Sequence, residues 1–367
     1  MNDLGTRIAE IIRTGGPIGI DRFWNLSLFD ARAGYYATKN PFGRAGDFVT
    51  APEVSQMFGE LIGAWVAAAW DGLGRPRPFR LVEIGPGRGT LMADMLRTLR
   101  RAAPACLGAA SIHLVETSET LAAIQAETLA PLDLPIRRHH TLGEVSPGPA
   151  IVVANELFDA LAIRQFVFDG EAFRERCVGL SEAGQLEFVL CEPLAQQPPA
   201  ALLPHPPAAG AVLEVSPERD TLAVRLAERL AAEGGAALLV DYGHGETAFG
   251  DTLQAIRDHA YAAPLDRPGE ADLTSHVDFG RLGHICASRR LAVAPLATQG
   301  EFLLGLGLLE RAGVLGAPMD AAGRRRIEVA VARLAGSGPG QMGALFKVLA
   351  VASQRLDLPP FASTQPD

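Results

Sequence analysis

The chain has 367 residues, of which 48% are hydrophobic and 20% charged, which is enough apolar material for a large folded core. Its 33 Lys and Arg against 42 Asp and Glu give a formal charge of −9, which argues against a general nucleic-acid binder because phosphate contacts need a basic face. No run of about 18 uncharged apolar residues occurs, so no membrane insertion is expected. We expect a cytoplasmic protein, and the spacing of its histidines and cysteines indicates no metal site.

The N-terminal part of the chain is predicted to be helical. One face of a first helix is indicated by the apolar residues Leu4, Ile8, Ile11 and Ile12. A second short helix is expected over about 21–29. Thr50 and Glu53 have the spacing of a capping box, which predicts one continuous helix from there to about Trp70. Residues 1–78 are therefore expected to form an N-terminal helical cap or lid.

From residue 79 onward, short apolar strands alternate with helical stretches. The strand candidates are 79–84, 112–116, 136–137, 150–154, 236–240 and a final one over 343–353. Because helical crossovers let successive strands run parallel, the pattern predicts a doubly wound α/β sheet. Two segments interrupt it, a β insertion at 163–192 and a mostly helical insertion at about 256–340. We expect residues 79–353 to form the main domain and 354–367 a C-terminal tail.

The first strand of this sheet ends in a glycine turn that leads into a helix at Thr90. We expect four residues of this turn to line a cofactor, namely Gly85, Pro86, Gly87 and Gly89. Glycines allow positive φ and a close approach of the backbone to a ligand. The spacing G-x-G-x-G differs from the dinucleotide pattern G-x-G-x-x-G, because Thr90 stands where the third glycine would lie. S-adenosylmethionine, which has no phosphate, is therefore favoured over a nicotinamide cofactor and an oxidoreductase activity.

Two carboxylates accompany the glycine turn. Glu83 lies two places before Gly85, where it could hold the ammonium group of the cofactor. Glu116, at the end of the second strand, could accept hydrogen bonds from both ribose hydroxyls. Taken singly, each could be a surface carboxylate, and the turn a plain link between strand and helix. Their combination in strand-end order favours a cofactor site.

Three more polar groups follow the fourth strand. Ligands bind beyond the carboxyl ends of the strands in open α/β sheets, so Asn155, Glu156 and Asp159 are expected near the transferable methyl group. The alternative is a helix N-terminus, which favours acidic residues. Residues 44–53, together with Ser55 and Gln56, could form a lid or substrate wall, or an ordinary cap. Residues 272–279 could contact substrate or start a helix that Asp278 caps.

Seven motifs together resemble one known family. They are, in chain order, GYY at 34–36, GDFVTAPEVSQMFGEL at 46–61, VEIGPGRGTL at 82–91, NELFDAL at 155–161, DYGH at 241–244, ADLT at 271–274 and VDF at 277–279. The chain resembles the MidA family of class I S-adenosylmethionine-dependent methyltransferases, and the stretch 46–61 is the most specific part. The resemblance implies a Rossmann-like, seven-stranded sheet with an antiparallel last strand. It also implies a protein arginine as acceptor, since mitochondrial members methylate a 49 kDa-type subunit during respiratory complex I assembly.

The resemblance also assigns roles to particular residues. Asn155 and Glu156 occupy the place where arginine methyltransferases put a guanidinium-binding carboxylate, and Asn155 also lies beside the cofactor. A second glutamate at the usual distance is missing, so Asp159, Asp47 or Glu53 could substitute for it. The alternative from another class of protein is an assembly chaperone that binds the cofactor without turnover.

Overall fold

The computed structural model describes residues 2–38, 50–198, 203–357 and 359–361. The chain divides into two compact units, each built from three stretches. Unit 1 comprises Met1–Phe48, Phe158–Leu222 and His244–Arg281, and unit 2 comprises Val49–Leu157, Ala223–Gly243 and Leu282–Asp367. These bounds cut across the division expected at residue 78, because the N-terminal segment is shared between the two units.

Helices occur in both units. In the described part of the chain they are α1 (Asp3–Gly15), α2 (Ile20–Phe29), α3 (Tyr35–Thr38), α4 (Ala51–Val54), α5 (Gln56–Gly72), α6 (Thr90–Ala102), α7 (Pro104–Ala109), α8 (Glu119–Leu129), α9 (Pro217–Glu233), α10 (Phe279–Ser288), α11 (Gln299–Gly305), α12 (Leu308–Gly316) and α13 (Ala321–Ala335). None of these helices combines the length and the apolar character that crossing a membrane requires.

Strands also occur in both units. Those within the described ranges are β1 (Ile18–Gly19), β2 (Phe79–Ile84), β3 (Ala110–Val115), β4 (Ile136–His139), β5 (Ala150–Asn155), β6 (Arg164–Phe168), β7 (Phe173–Leu180), β8 (Leu186–Pro193), β9 (Val212–Val215), β10 (Gly235–His244), β11 (Gln254–Arg257), β12 (Ala260–Ala262), β13 (Asp272–Thr274), β14 (Val277–Asp278), β15 (Ala292–Val293), β16 (Ala297–Thr298) and β17 (Phe346–Ala352).

The sheet of unit 2 confirms the predicted Rossmann-like fold. Its strands follow the order β15-β17-β10-β5-β2-β3-β4, and β16 also pairs with β17. The five strands from β10 to β4 run parallel, whereas β17 is antiparallel to both β10 and β15. The last strand of the chain is thus the reversed one. Every residue of the central strand β5 is buried, as expected of a parallel strand covered on both faces.

Unit 1 is built on antiparallel strands. Strands β6, β7 and β8 occupy the segment 163–192, where an inserted β element was expected, and they pair antiparallel. Strand β1 also pairs antiparallel with β7, and β9 pairs antiparallel with β6. Helix α1 buries Leu4, Ile8 and Ile12 on one face, as its periodicity predicts.

Two sequence-based expectations differ from the structure. The helix predicted from Thr50 to Trp70 is broken into α4 and α5, because Ser55 is extended and its side chain caps α5 by accepting from the Met57 N–H at 3.2 Å. The predicted capping box is wrong, since the Thr50 side chain makes no cap hydrogen bond. Glu53 contacts α6 instead.

The second difference concerns the insertion at about 256–340, which is helical only from Phe279 onward. Before that point, strands β11, β12 and β13 form a separate small sheet. Strands β11 and β12 are joined by Asp258 and His259, which both have positive φ, at 53° and 62°. A tight hairpin turn requires this conformation, and Asp-His is not among its usual sequences. The turn was therefore not visible in the sequence.

Candidate cofactor and acceptor site

The candidate site lies at the carboxyl edge of the unit 2 sheet. Strand β2 lies there between β3 on one side and β5 on the other. Because the chain crosses over in opposite directions from this point, the segments after these strands leave a crevice between them. The Gly85 N–H donates to the Val115 carbonyl at 3.0 Å, so the ends of β2 and β3 are in direct contact. The predicted residues of unit 2 at the ends of these strands, Glu83, Glu116 and Glu156, lie at this edge.

The glycine turn has the conformation that its composition suggests. Gly85, Gly87 and Gly89 have φ values of 68°, 52° and 81°, which L side chains rarely adopt. The Gly89 N–H donates to the Pro86 carbonyl at 2.7 Å and closes the turn ahead of α6. A Cβ on Gly85 would lie 2.8 Å from Leu157 Cδ1. The turn therefore needs glycine for its shape and also for the space beside it.

Glu83 is buried at the end of β2, with 2% of its surface exposed. Burial raises its pKa to about 8, although the Met92 N–H acts in the opposite direction. Its Oε2 has no hydrogen-bond partner among the described residues. A cationic group of a ligand could satisfy that oxygen and stabilise the ionised carboxylate.

Glu116 follows β3 and is 7% exposed. Its Oε1 accepts from the Ser118 N–H at 2.8 Å, and its Oε2 accepts from Gln125 Nε2 at 3.0 Å. Burial raises the pKa of this carboxyl, while those hydrogen bonds oppose the shift. Each carboxylate oxygen can accept more than one hydrogen bond, so both remain usable by a diol.

Glu156 is held in an unusual backbone conformation directly after β5. Its φ is 50°, in the left-handed region that is uncommon outside glycine, and its N–H donates to the Val240 carbonyl at 2.9 Å. Its Oε1 accepts from the Ala51 N–H at 3.0 Å and from Asn155 Nδ2 at 3.1 Å. The carboxylate is thus oriented by two donors, one of them from α4. Asn155 Oδ1 is buried without a partner within the described ranges.

The three candidates for a second carboxylate have different positions. Glu53 Oε1 accepts from Thr90 Oγ1 at 2.7 Å, and its Oε2 lies 3.6 Å from Arg88, so Glu53 contacts the glycine turn and α6. Asp159 belongs to unit 1, where its carbonyl accepts from the Ser275 N–H at 3.3 Å. Asp47 lies outside the described residues.

The stretch 272–279 has a capping role in unit 1. Asp278 Oδ1 accepts from the Arg281 N–H at 2.8 Å, which caps α10, and Thr247 Oγ1 donates to Asp278 Oδ2 at 2.6 Å. Of the two expectations for this stretch, the helix cap is present. Substrate contact there stays a prediction.

The sequence did not point to Gln125 or Arg219, yet each is buried and hydrogen-bonded to residues that were predicted for the site. Gln125 bridges Gly87 and Glu116, and its place among the apolar positions of α8 was the available signal. Arg219 is 6% exposed and donates to several carbonyls, including that of Asp159. It lies in an ordinary-looking helix start, so no pattern pointed to it.

The residues present fit a sulfonium amino-acid nucleoside. The glycine turn has the positive φ values and the close packing on Leu157 that only glycine allows at Gly85, so its backbone carries no side chain there. The unsatisfied acceptors Glu83 Oε2 and Asn155 Oδ1 lie on adjacent strands of this sheet. Among the residues that the structure describes, no group of three or more His, Cys, Asp or Glu side chains is placed to hold a metal ion.

The fold and the site together define a Rossmann-like methyltransferase class, and comparison with known proteins specifies the family. Residues 61–295 match the family described as S-adenosyl-L-methionine-dependent methyltransferases. The chain belongs to this family. Members of this family are enzymes that use S-adenosylmethionine, the cofactor that the glycine spacing predicted.

Named relatives and a solved structure support this assignment over most of the chain. The chain is 36% identical to the mitochondrial protein arginine methyltransferase NDUFAF7 of Danio rerio, over 84% of this chain and 77% of that protein. It is 35% identical to the Homo sapiens protein of the same name, over 83% of this chain and 73% of that protein. A COG1565 superfamily member from Burkholderia thailandensis, bound to S-adenosyl-homocysteine, is 29% identical with a TM-score of 0.82. That match covers 96% of this chain and 93% of the other.

Proposed function

We propose that this methyltransferase transfers the methyl group to an arginine side chain of a protein. The observation that carries the proposal is the Glu156 carboxylate, which is oriented by two donors and comes directly after β5, the strand that pairs with β2. The similar proteins from fish and human that carry the name protein arginine methyltransferase support the same acceptor.

The cofactor would be held by the residues at the ends of β2 and β3. The glycine turn brings the backbone close, Glu83 binds the ammonium group, and Glu116 accepts from the ribose hydroxyls. Asn155 offers one more acceptor beside them. Bound S-adenosylmethionine supplies an electrophilic methyl group on its sulfonium. The task of the chain is then to hold the acceptor nitrogen at reacting distance and to exclude water.

Glu156 would bind the acceptor arginine. A guanidinium stays protonated because its pKa exceeds about 12, and it is a poor nucleophile in that form. A carboxylate that accepts two of its N–H groups localises the charge on those nitrogens and aims the remaining one. Because Ala51 and Asn155 restrain one oxygen of Glu156, the carboxylate keeps one orientation as the acceptor arrives. Asp159, Asp47 and Glu53 stay the candidates for a second carboxylate.

The decisive experiment is label transfer with identification of the labelled residue. The protein is incubated with methyl-labelled cofactor and either a cell lysate or a purified 49 kDa-type complex I subunit, which the family resemblance makes the first acceptor to test. We expect methylarginine in a protein band. Label on lysine or on a small molecule would overturn the proposed acceptor. Cofactor binding without any label would favour the assembly chaperone. Fractionation of the source cells tests the cytoplasmic location.

Glu83 gives a prediction about the pH dependence of cofactor binding. Its pKa of about 8 keeps it mostly protonated at pH 7 in the free protein. A bound ammonium favours the charged form, so binding should release up to about one proton. Calorimetry with S-adenosylhomocysteine at pH 7, in two buffers of different ionisation enthalpy, should then give different apparent enthalpies.

The Glu83→Gln variant is the control for this measurement, because it cannot release that proton. Its enthalpy should depend less on the buffer, and its affinity should fall. Equal buffer dependence in the two proteins would contradict the assigned role of Glu83.

The raised pKa of Glu83 also makes folding stability depend on pH. Protonated Glu83 favours the folded state, and this favourable contribution is fully present below about pH 4.5. It is lost as the pH rises through about 8.

A further inference from the structure

Gln125 occupies a position where an apolar residue would be expected. The buried face of α8 consists otherwise of Leu121, Ala122 and Leu129. Gln125 itself is only 1% exposed. Burying a primary amide is unfavourable unless its donors and acceptor are satisfied, so its contacts must explain its presence.

Both amide hydrogens of Gln125 are used. Nε2 donates to the Gly87 carbonyl at 2.8 Å and to Glu116 Oε2 at 3.0 Å. Both partners are acceptors, so rotating the amide by half a turn would set Oε1 against two oxygens. The orientation is therefore fixed. Oε1 has no partner among the described residues, which costs about 1–3 kcal/mol in folding.

These two contacts join the two halves of the proposed cofactor site. Gly87 belongs to the turn after β2, and Glu116 follows β3. Ser118 holds one oxygen of Glu116 and Gln125 holds the other, so the carboxylate plane is set from both sides. Without Gln125, the carboxylate could rotate and the Gly87 carbonyl would lose its anchor.

We propose that Gln125 is a positioning residue that sets Glu116 and the glycine turn in the geometry that binds the ribose of the cofactor. This inference rests on the proposed role of Glu116 as the ribose ligand. Gln125 acts through Glu116 and Gly87 and takes no part in the transfer itself. Its effect should therefore appear in cofactor affinity and in discrimination between riboses, and not in kcat at saturating cofactor.

The test compares the Kd values of S-adenosylhomocysteine and its 2′-deoxyribose analogue by calorimetry. We expect the intact protein to prefer the ribose form by about tenfold, since one hydrogen bond to a charged group is lost in the analogue. In Gln125→Met, the Kd for S-adenosylhomocysteine should rise about tenfold and the ribose preference should fall below about threefold. The kcat at saturating cofactor should change less than about twofold.

Gln299 provides a matched control. It is also fully buried in unit 2, its Nε2 donates to the Leu334 carbonyl at 2.8 Å, and its Oε1 likewise lacks a partner within the described ranges. Gln299→Met removes a buried amide whose hydrogen bond goes to α13 and not to Gly87 or Glu116. It should lose comparable stability and keep the ribose preference.

A Glu116→Gln variant separates the two ways in which the test can fail. An unchanged ribose preference in Glu116→Gln would overturn the ribose role of Glu116. A lost preference in Glu116→Gln together with a retained one in Gln125→Met would overturn the positioning role alone. If Gln125→Met does not fold, Gln125→Asn replaces it, because the shorter side chain keeps an amide but cannot span both partners. A full ribose preference in that variant would also overturn the inference.

Discussion

Replacing Glu156 by Gln should lower kcat by about a thousandfold while the Kd for S-adenosylhomocysteine stays within about threefold. The substitution keeps the size of the side chain and an oxygen that can still accept from Ala51 and Asn155, so these two hydrogen bonds are kept. It removes the negative charge that would bind and polarise a guanidinium. Loss of such an oriented electrostatic group typically costs about 3–4 kcal/mol of transition-state stabilisation.

Single-turnover transfer with labelled cofactor measures this effect, and calorimetry measures cofactor binding. Glu60→Gln is a suitable control in the same unit, because both carboxylate oxygens of Glu60 accept from Arg311, at 2.6 and 2.7 Å. It should leave kcat unchanged. Near-normal turnover by Glu156→Gln would remove Glu156 from the catalytic role. Weakened cofactor binding with unchanged kcat would make it a cofactor ligand instead.

The fold of unit 2 was largely predictable because its elements are specified locally. Strand β2, the glycine turn and α6 form one uninterrupted sequence signature, and the polar residues at 116 and 155–156 directly follow apolar strands. In a parallel sheet, the carboxyl ends of the strands meet at one edge, so strand-end position alone brings these residues together. This is why Glu83, Glu116 and Glu156 could be selected before the structure was known.

What the sequence did not reveal depends on contacts between distant segments. Glu53 has capping-box spacing, yet its carboxylate meets Thr90, 37 residues further along the chain. The contacts of Gln125 with Gly87 and Glu116, on which its proposed role rests, join residues 38 and 9 positions away from it in the chain. The turn at Asp258 and His259 shows the other limit, since Asp favours turns but the pair Asp-His is not a usual hairpin sequence, and both residues adopt positive φ between β11 and β12.

Arg219 leads to the second large prediction, which concerns unit 1. Its guanidinium donates to the carbonyls of Phe158 at 2.6 Å, of His276 at 2.7 Å and of Asp159 at 3.2 Å. It also donates to Ser275 Oγ at 2.7 Å. One planar group therefore joins the start of the segment after Leu157 to the loop between β13 and β14.

Arg219→Lys should destabilise unit 1 by about 2–4 kcal/mol. An ammonium has three donors on one atom and cannot reproduce the fork of a guanidinium, so several carbonyls would each lose one donor. Hydrogen exchange measured by mass spectrometry should show faster exchange at the Ser275 amide, which donates to the Asp159 carbonyl. Exchange in the unit 2 strands should not change.

Arg281→Lys is the matched control for Arg219→Lys, because Arg281 pairs with Asp220 on the surface, where the two side chains are 41% and 34% exposed. An exposed pair contributes at most about 1 kcal/mol, so exchange at Ser275 should hardly change. Equal effects of the two variants would show that the hydrogen bonds of Arg219 do not hold these segments together.

The activity of Arg219→Lys also tests whether Asp159 is the second carboxylate. If Asp159 is the second carboxylate, kcat should fall even at temperatures where unit 1 stays folded, because the backbone that carries Asp159 has lost its anchor. If Glu53 or Asp47 takes that role, the same variant should lose stability and keep its kcat.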